Sequence, residues 1–452
     1  MNESHILIFI SLVAAVISGA HAETETEGVC LNGSCGLMKT LSNGNTIPLV
    51  GMGVGNLPHE ILSDVINSNL NNNSYQLIDT TRKSGNEAEI AMAISNAEID
   101  ADEENVIHVV TKVWYTHLGY DRTTISVDDS MKDLPGHLNI RLHILLHWPR
   151  CYDNIPWMDC EKEEENLVEW IKFAGPPPHN DKDNAWKESW RALEDLYINQ
   201  REARQKNKKK KKWKKPVIES IGVSNFEIED MKELVSFARV MPSIYQGNLW
   251  SVLHDPYLVN LLNENNIHFQ AYNIMNGALQ RKSEAPKSFS VLTKLAADLT
   301  SRAEDIDKPT ITEAMVLMAW LVQEGIAVIP RSSSSIHQVE NSPVSIGSVP
   351  KMSYEEKVKV KNAVSALMKG VDLTVEATFQ NNSPGSVAIH WKNTKTGEEI
   401  QVLDAMEPGV SKMINTHPGH QFVVYSEGKK SRQQFGITAF YGEEEEFNFD
   451  EL

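Results

Sequence analysis

The 452-residue chain is 41% hydrophobic and 7% aromatic, and its 61 acidic side chains outnumber 43 basic ones to leave a formal net charge of −18. Those proportions belong to a water-soluble globular protein, and the length exceeds one ordinary core, so two domains are expected. So large a surplus of negative charge disfavours nonspecific adhesion to DNA or to anionic membrane.

Residues 1–22 read as a secretory signal: an apolar run from Ile6 to Ile17 is too short for a membrane span, and Ala20 and Ala22 fill the small-residue cleavage positions. No Lys or Arg precedes that run. Residues 23–37 are polar and read as a loose segment holding Cys30 and Cys35, while Cys151 and Cys160 lie in a second short stretch. The two local pairings are the easiest disulfides in an oxidising compartment. A four-cysteine zinc site is the alternative, although no C-x-x-C pair is present. Sequons at Asn32, Asn72 and Asn381 fit lumenal glycosylation.

From residue 38 a rhythm sets in. Asn43-Gly44 between Thr40 and Pro48 predicts a tight hairpin. Strands are then expected at Leu49–Val54, Tyr75–Asp79, Val106–Lys112, Arg141–His147, Val217–Val223, Pro242–Gln246, Ile267–Ala271 and Ile326–Pro330. Helical patterns at Asn86–Ala97, Asp121–Leu134, Ala185–Asn199, Glu227–Arg239 and Ile311–Gln323 lie between them, and Tyr354–Met368 closes the series. The α/β alternation predicts a (β/α)8 TIM barrel over 38–369, with a doubly wound open sheet as the alternative. Two insertions interrupt it. The first, 151–183, is an acidic, proline-containing loop; the second, 200–215, carries a lysine run with Trp213 that reads as a solvated loop or helix extension, or as a site for nucleic acid or phospholipid. Residues 371–442 alternate in short runs parted by turn residues, the pattern of a small all-β sandwich. Residues 443–452 read as an acidic tail ending in Asp-Glu-Leu, similar to a lumenal retrieval signal. With the leader, that ending points to the endoplasmic-reticulum lumen, secretion being the alternative.

Five ordered segments carry a resemblance: IPLVGMGVG from Ile47, IDTTRKSGNE from Ile78, VTKVW from Val110, LLHWP from Leu145 and IGVSNF from Ile221. AYNIMNGAL from Ala271 and IPRSSSSIHQVEN from Ile329 extend it, and together they resemble the aldo-keto reductases. The resemblance implies NADP(H)-dependent reduction of a small aldehyde or ketone. Asp79, Lys112 and His147 match three of the four catalytic residues. The fourth, a proton-donating tyrosine, falls five residues after the aspartate and before Gly85-Asn86-Glu87, where this chain has Ser84. A water held by Ser84 and Lys112, or the phenol of Tyr115, is expected to replace it. Ser224, Asn225 and Gln246 would hold the carboxamide, Tyr272 would stack on the nicotinamide, Arg331 and Ser332 would take the 2′-phosphate, and Asn341 would meet the adenine. His337 stands where the family has an arginine, and Val54 and Gly55 stand for a threonine and a bulkier residue. Loss of catalysis would leave a pseudoenzyme barrel acting as an interaction protein.

NNSPGSVAIHWKNTKTGEEI and MEPGVSKMINTHPGHQF resemble the β domain of the von Hippel–Lindau tumour suppressor. That resemblance implies a protein or peptide partner bearing hydroxyproline, with Thr416, His420 and Phe422 at the pocket and Asn415 and Leu403 departing from the pattern. No metal site is expected, since His417 and His420 have no carboxylate or cysteine at ligand spacing.

Overall fold

The computed structural model describes residues 29–31, 34–97, 106–206, 216–303, 310–426 and 431–450, with side chains from Leu37 onward. The expected leader, Asn32, the lysine run and the last two residues lie outside the described residues. Two compact units divide the chain, the first comprising Met1–Ile274, Asp305–Pro309 and Ala314–Lys351 and the second Met275–Glu304, Thr310–Glu313 and Met352–Leu452.

In the first unit eight parallel strands run β1 (Met52–Gly53), β2 (Leu77–Asp79), β3 (Ile107–Val113), β4 (Ile140–Leu146), β5 (Val217–Ser224), β6 (Ile244–Asn248), β7 (His268–Tyr272) and β8 (Ala327–Val328), each paired with its neighbour in sequence. The open-sheet alternative fails at the edges. Val50 bridges Val328 in parallel, Gly51 N donates to Val328 O at 3.0 Å, and Val328 N donates to Leu49 O at 2.8 Å. β3 is buried along its whole length, as expected of a strand covered on both faces. The short strands β1 and β8 fall inside the longer apolar runs that the sequence marks.

At the end where the strands begin, Met38–Thr40 and Thr46–Pro48 form the expected hairpin, with Gly44 at φ +84° in its turn. Leu41 and Ile47 pack into one cluster with Leu77, Val110, Leu145, Ile244 and Ile329, so the hairpin plugs that end. Upstream, Val29–Leu31 pairs with Ser34–Gly36, and the register sets the backbone of Cys30 opposite Cys35. The segment expected to be loose is therefore paired over those six residues.

Both insertions carry helix, as an extension in the second and as short separate helices in the first. The helix predicted to stop at Asn199 runs Ala185–Lys206, because Arg201 to Lys206 contains only helix-compatible residues and Gln200 anchors it to Pro216 O at 2.9 Å and Ile218 N at 2.7 Å. The acidic insertion holds short helices at Cys160–Glu165 and Glu169–Lys172. Its anchor is Arg122, 1% exposed, whose two terminal nitrogens bond the Glu164 carboxylate at 2.9 and 2.8 Å. Planar two-point pairing is the geometry that offsets the cost of burying a guanidinium. The Cys151–Cys160 disulfide staples the same insertion, which rules out the four-cysteine zinc site. Among the described residues no cluster of three or more His, Cys, Asp or Glu is placed to hold a metal, and no helix is long and apolar enough to cross a membrane.

The second unit holds two helices that the expected boundary at 369 assigns to the barrel: Pro286–Arg302 and Tyr354–Lys369. The second is bounded by a Ser353–Glu356 capping box and by Gly370 at φ +63°. Ser288 Oγ donates to Val371 O at 2.9 Å and accepts from Leu373 N at 2.8 Å, so the first helix is tied to the segment after the second. Beyond them lie β9 (Val375–Asn381), β10 (Val387–Lys392), β11 (Glu399–Met406), β12 (Ser411–Thr416), β13 (Gln421–Ser426), β14 (Arg432–Gly436) and β15 (Glu444–Phe449). They form a three-stranded sheet, β12-β9-β15, and a four-stranded sheet, β11-β10-β13-β14. Phe379 and Phe449 from one and Ile389 and Phe422 from the other share a single core. The acidic tail is thus a strand: β15 pairs in parallel with β9, and Phe449 is fully buried. Asn381, a sequon, is also fully buried, with Nδ2 donating to Gly385 O and Met406 O, so a glycan has no place there. Asn72, at the last turn of His59–Asn72, is exposed.

Candidate active site

The chemistry-bearing residues gather where the barrel strands end. Asp79 closes β2, Lys112 lies one residue from the end of β3, and His147 follows β4 directly. Lys112 Nζ donates to Asp79 Oδ1 at 2.7 Å and to Thr80 O at 2.8 Å, and Gln246 Nε2 donates to the same Asp79 oxygen at 2.8 Å. The lysine is 4% exposed and the aspartate 14%, so the charges are screened little and each fixes the other. His147 is half-buried beside the Lys112 ammonium, and desolvation together with that charge holds its imidazole well below the usual histidine pKa, hence neutral at pH 7. Its ring meets Trp114 edge-on at 4.9 Å, and its Nδ1 lies 3.3 Å from Thr81 Oγ1.

Ser84 ends the 3-10 turn Arg82–Ser84, which Thr81 caps and Gly85 closes at φ +64°. Its Oγ would lie 3.2 Å from a Cβ placed on Gly55, so the small residues at 55 and 84 face each other across one side of the mouth. The neighbours that frame this position have structural work of their own. Glu87, 1% exposed, accepts from Arg82, from Thr111 Oγ1 at 2.6 Å and from Ser130 Oγ at 2.8 Å. Asn86 Oδ1 accepts from Thr80 Oγ1 at 2.6 Å, and its Nδ2 donates to Val54 O at 3.2 Å. Removing either would orphan buried polar partners, which explains a Gly-Asn-Glu frame around a serine.

Tyr115 turns away from this group. The polar groups beside its buried hydroxyl are Glu163 and Asp159 of the acidic insertion, and burial with those carboxylates pushes its pKa up. It is not placed as the replacement acid. Glu163 also accepts from Lys83 Nζ at 2.8 Å and from Trp114 Nε1 at 2.6 Å, and Trp157 stacks on Trp114 at 6.2 Å. The insertion therefore covers part of the mouth. None of these contacts has a sequence signal, because each joins residues tens of positions apart.

The expected cofactor residues form a contiguous shelf. Asn225 adopts φ +58°, and its amide group donates to His147 O at 3.1 Å and accepts from Tyr272 OH at 2.7 Å. Ser224 Oγ accepts from the same Asn225 nitrogen at 3.1 Å. Tyr272 lies near Asp79, and burial with that charge pushes its phenol up to about 12. Further along, Ser332 and Asn341 line one small cavity with Gly53, Asn69 and Gln338. Arg331 is exposed and, among the described residues, pairs with no carboxylate, while Ser332 Oγ accepts from Ser334 N at 3.0 Å. An exposed cation next in sequence to a hydroxyl suits a phosphate. His337 is exposed on the following short helix.

In the second unit, Thr416 Oγ1 and His420 Nδ1 are 2.9 Å apart, and His420 meets the Trp391 ring at 5.5 Å and the His417 ring at 5.2 Å. Trp391 Nε1 and His417 Nδ1 are buried without a hydrogen-bond partner among the described residues. Phe422 does not join them: it is 2% exposed and packs edge-on against Phe379, because β13 turns it into the shared core.

Residues 58–355 match the model of the Aldo/keto reductase family. The NAD(P)H-dependent D-xylose reductase of Kluyveromyces lactis is 25% identical over 310 residues, 67% of this chain and 85% of that enzyme. The glyoxal reductase of Bacillus subtilis is 25% identical over 311 residues, with 67% and 85% covered. Among solved structures, a Bombyx mori aldo-keto reductase in complex with NADP is similar at a TM-score of 0.50, with 22% identity over 72% of this chain and 92% of that one.

Proposed function

The chain belongs to the aldo/keto reductase family, and from that premise we propose that it is an NADP(H)-dependent reductase of small aldehydes or ketones whose usual proton-donor tyrosine is replaced by Ser84. The observation that carries this reading is the Lys112–Asp79–Gln246 group, joined at 2.7 and 2.8 Å beside a neutral His147. The shelf of Ser224, Asn225, Gln246 and Tyr272 and the free cation of Arg331 fit a nicotinamide dinucleotide phosphate; when bound, it supplies the hydride. The chain's own residues would do the rest. His147 orients the carbonyl, the Lys112 ammonium stabilises negative charge growing on its oxygen, and a water between Ser84 and Lys112 delivers the proton. A two-electron addition to carbon and one proton to oxygen give the alcohol, and the hydroxide left on the water is reprotonated from solvent.

Titration of NADPH fluorescence followed by turnover of an aldehyde panel tests the reading. Saturable binding with measurable turnover is expected, and Ser84→Tyr should raise the rate by about 10²-fold, the lower range for a positioned acid. Absence of binding would remove the reductase reading; binding without turnover in either protein would make the barrel a pseudoenzyme that senses cofactor.

A second reading concerns the C-terminal β region, as a sandwich that recognises a peptide bearing hydroxyproline. It is favoured by the Thr416–His420 pair with two buried nitrogens that have no partner among the described residues, Trp391 Nε1 and His417 Nδ1, alongside. Peptides differing only in prolyl hydroxylation would discriminate; equal binding would end it. For location we propose the endoplasmic-reticulum lumen, supported by the Cys151–Cys160 disulfide and the exposed Asn72 sequon. A glycosidase-sensitive mass shift that Asn72→Gln abolishes is the expected result.

A further inference from the structure

The mouth contains one polar side chain that the catalytic reading leaves without a task. Thr81 sits between the aspartate at the end of β2 and the turn that carries Ser84. Its Oγ1 accepts the Lys83 amide at 3.2 Å and lies 3.3 Å from His147 Nδ1. A hydroxyl has one proton to give and two lone pairs to offer. With one lone pair occupied by the Lys83 N–H, the proton is free for Nδ1, whereas accepting there as well would leave that proton without a partner among these contacts. A neutral imidazole that accepts at Nδ1 carries its own hydrogen on Nε2.

The ring has little freedom to escape this choice. His147 N donates to Val113 O at 2.9 Å, and Asn225 Nδ2 donates to His147 O at 3.1 Å, so the backbone is held on both sides. Trp114 at 4.9 Å and Trp148 at 6.4 Å flank the imidazole.

We propose that Thr81 is a positioning residue that fixes His147 as the Nε2–H tautomer, so that a neutral ring presents an N–H donor to the substrate's carbonyl oxygen. This rests on reading the site as a carbonyl reductase. It matters more here than with a phenol in place, because Ser84 leaves the imidazole N–H as a principal directional donor besides the Lys112 ammonium. Losing the tautomer would turn an acceptor lone pair toward the carbonyl oxygen, and the two would repel.

Nitrogen-15 NMR of the full chain labelled at histidine tests the proposal without cofactor or substrate, the His147 signal being assigned by its loss in His147→Gln. The expected spectrum shows His147 neutral at pH 7.5, with its proton on Nε2. Thr81→Val should shift the population to the Nδ1–H form or to a mixture, and Thr81→Ser should restore the original pattern. In turnover assays Thr81→Val should lower kcat by about tenfold with little change in the KM for NADPH, again rescued by serine, a loss of about 1.4 kcal/mol. A wild-type ring protonated on Nδ1, or a tautomer that Thr81→Val leaves unchanged, would overturn the proposal, and the wild-type spectrum stands even if the valine variant fails to fold. An Nε2–H ring in a protein that binds no NADPH would instead sink the reductase reading and leave the tautomer assignment in place.

Discussion

The two ends of the barrel handle their histidines in opposite ways. At the mouth, His147 sits among charge and solvent, with Lys112 and Asp79 paired beside it and a cover supplied by the acidic insertion. Toward the floor, His108 on β3, His143 on β4 and His268 on β7 are 6%, 0% and 6% exposed, under the plug made by the N-terminal hairpin. They form no charged pair. His108 Nδ1 and His143 Nε2 are 2.9 Å apart, and His143 Nδ1 lies 2.7 Å from Ser220 Oγ on β5. His268 Nε2 and Gln270 Nε2 have no partner among the described residues. The mouth spends stability on groups able to act on a ligand, while the floor histidines are buried and must stay neutral. That division is the one expected of barrels that place chemistry at the C-terminal ends of their strands.

Acid should have its largest effect through the three floor histidines, which outnumber the single depressed ring at the mouth. Burial holds His108 and His268 down to about 3, and His143 well below its usual 6.5. A ring whose pKa is lower folded than unfolded takes up its proton on unfolding, so stability is complete above pH 6.5 and falls as pH drops from there toward 3. Several kcal/mol should be lost over that window, read as a falling urea midpoint. His268→Leu should flatten the dependence by about one proton. A midpoint independent of pH between 6.5 and 4 would show the floor to be wetter and more polar than described.

Next in size is the response to Lys112→Met, which removes the cation from the mouth. Turnover should fall by about 10²- to 10⁴-fold, while the acid transition of the floor keeps its position, since His147, and not the floor histidines, is the ring that Lys112 depresses. His147 alone should titrate closer to its usual range, so a change in the acid dependence larger than one ring can supply would mean that the two ends are coupled.

How much of this was legible in the sequence follows the same division. Asp79, Lys112, His147, Ser224, Asn225 and Tyr272 each lie within a local string at the end of a strand, so the order of strings indicated that they would gather at one end of the barrel. The floor histidines are single residues in apolar runs, with no spacing to join 108, 143 and 268. Arg122 and Glu164 likewise meet only through the fold. β15 was hidden for a different reason: four consecutive glutamates from Glu443 mask a period of two, in which Glu445, Phe447 and Phe449 are more buried than the residues between them. Glu445 earns its inward place by accepting from Thr438 N at 2.9 Å and Thr438 Oγ1 at 2.5 Å. The pattern at Tyr354–Met368 gave a helix that runs Tyr354–Lys369, but a pattern does not say which core it serves, and Pro286–Arg302 was not marked at all.

Two glycines give the smallest and most local test of an open mouth on a closed wall. In the wall, a Cβ on Gly222 of β5 would lie 2.3 Å from Ile244 O on the neighbouring strand. Neither backbone can retreat without breaking the β5–β6 ladder, so Gly222→Ala should cost about 3 kcal/mol or more. At the mouth, a Cβ on Gly55 would meet Ser84 Oγ at 3.2 Å and Thr81 Cγ2 at 3.4 Å. The serine hydroxyl can rotate, and no backbone atom lies closer than Thr80 Cα at 3.8 Å. Gly55→Ala should therefore change the thermal midpoint by no more than the shift equivalent to about 0.5 kcal/mol. A much larger loss would mean that Ser84 has no room to turn, and with it no room to hold the water assigned to proton delivery. A small one, set beside a severe Gly222→Ala, would place the tolerance for change at the end of the barrel where Ser84 stands.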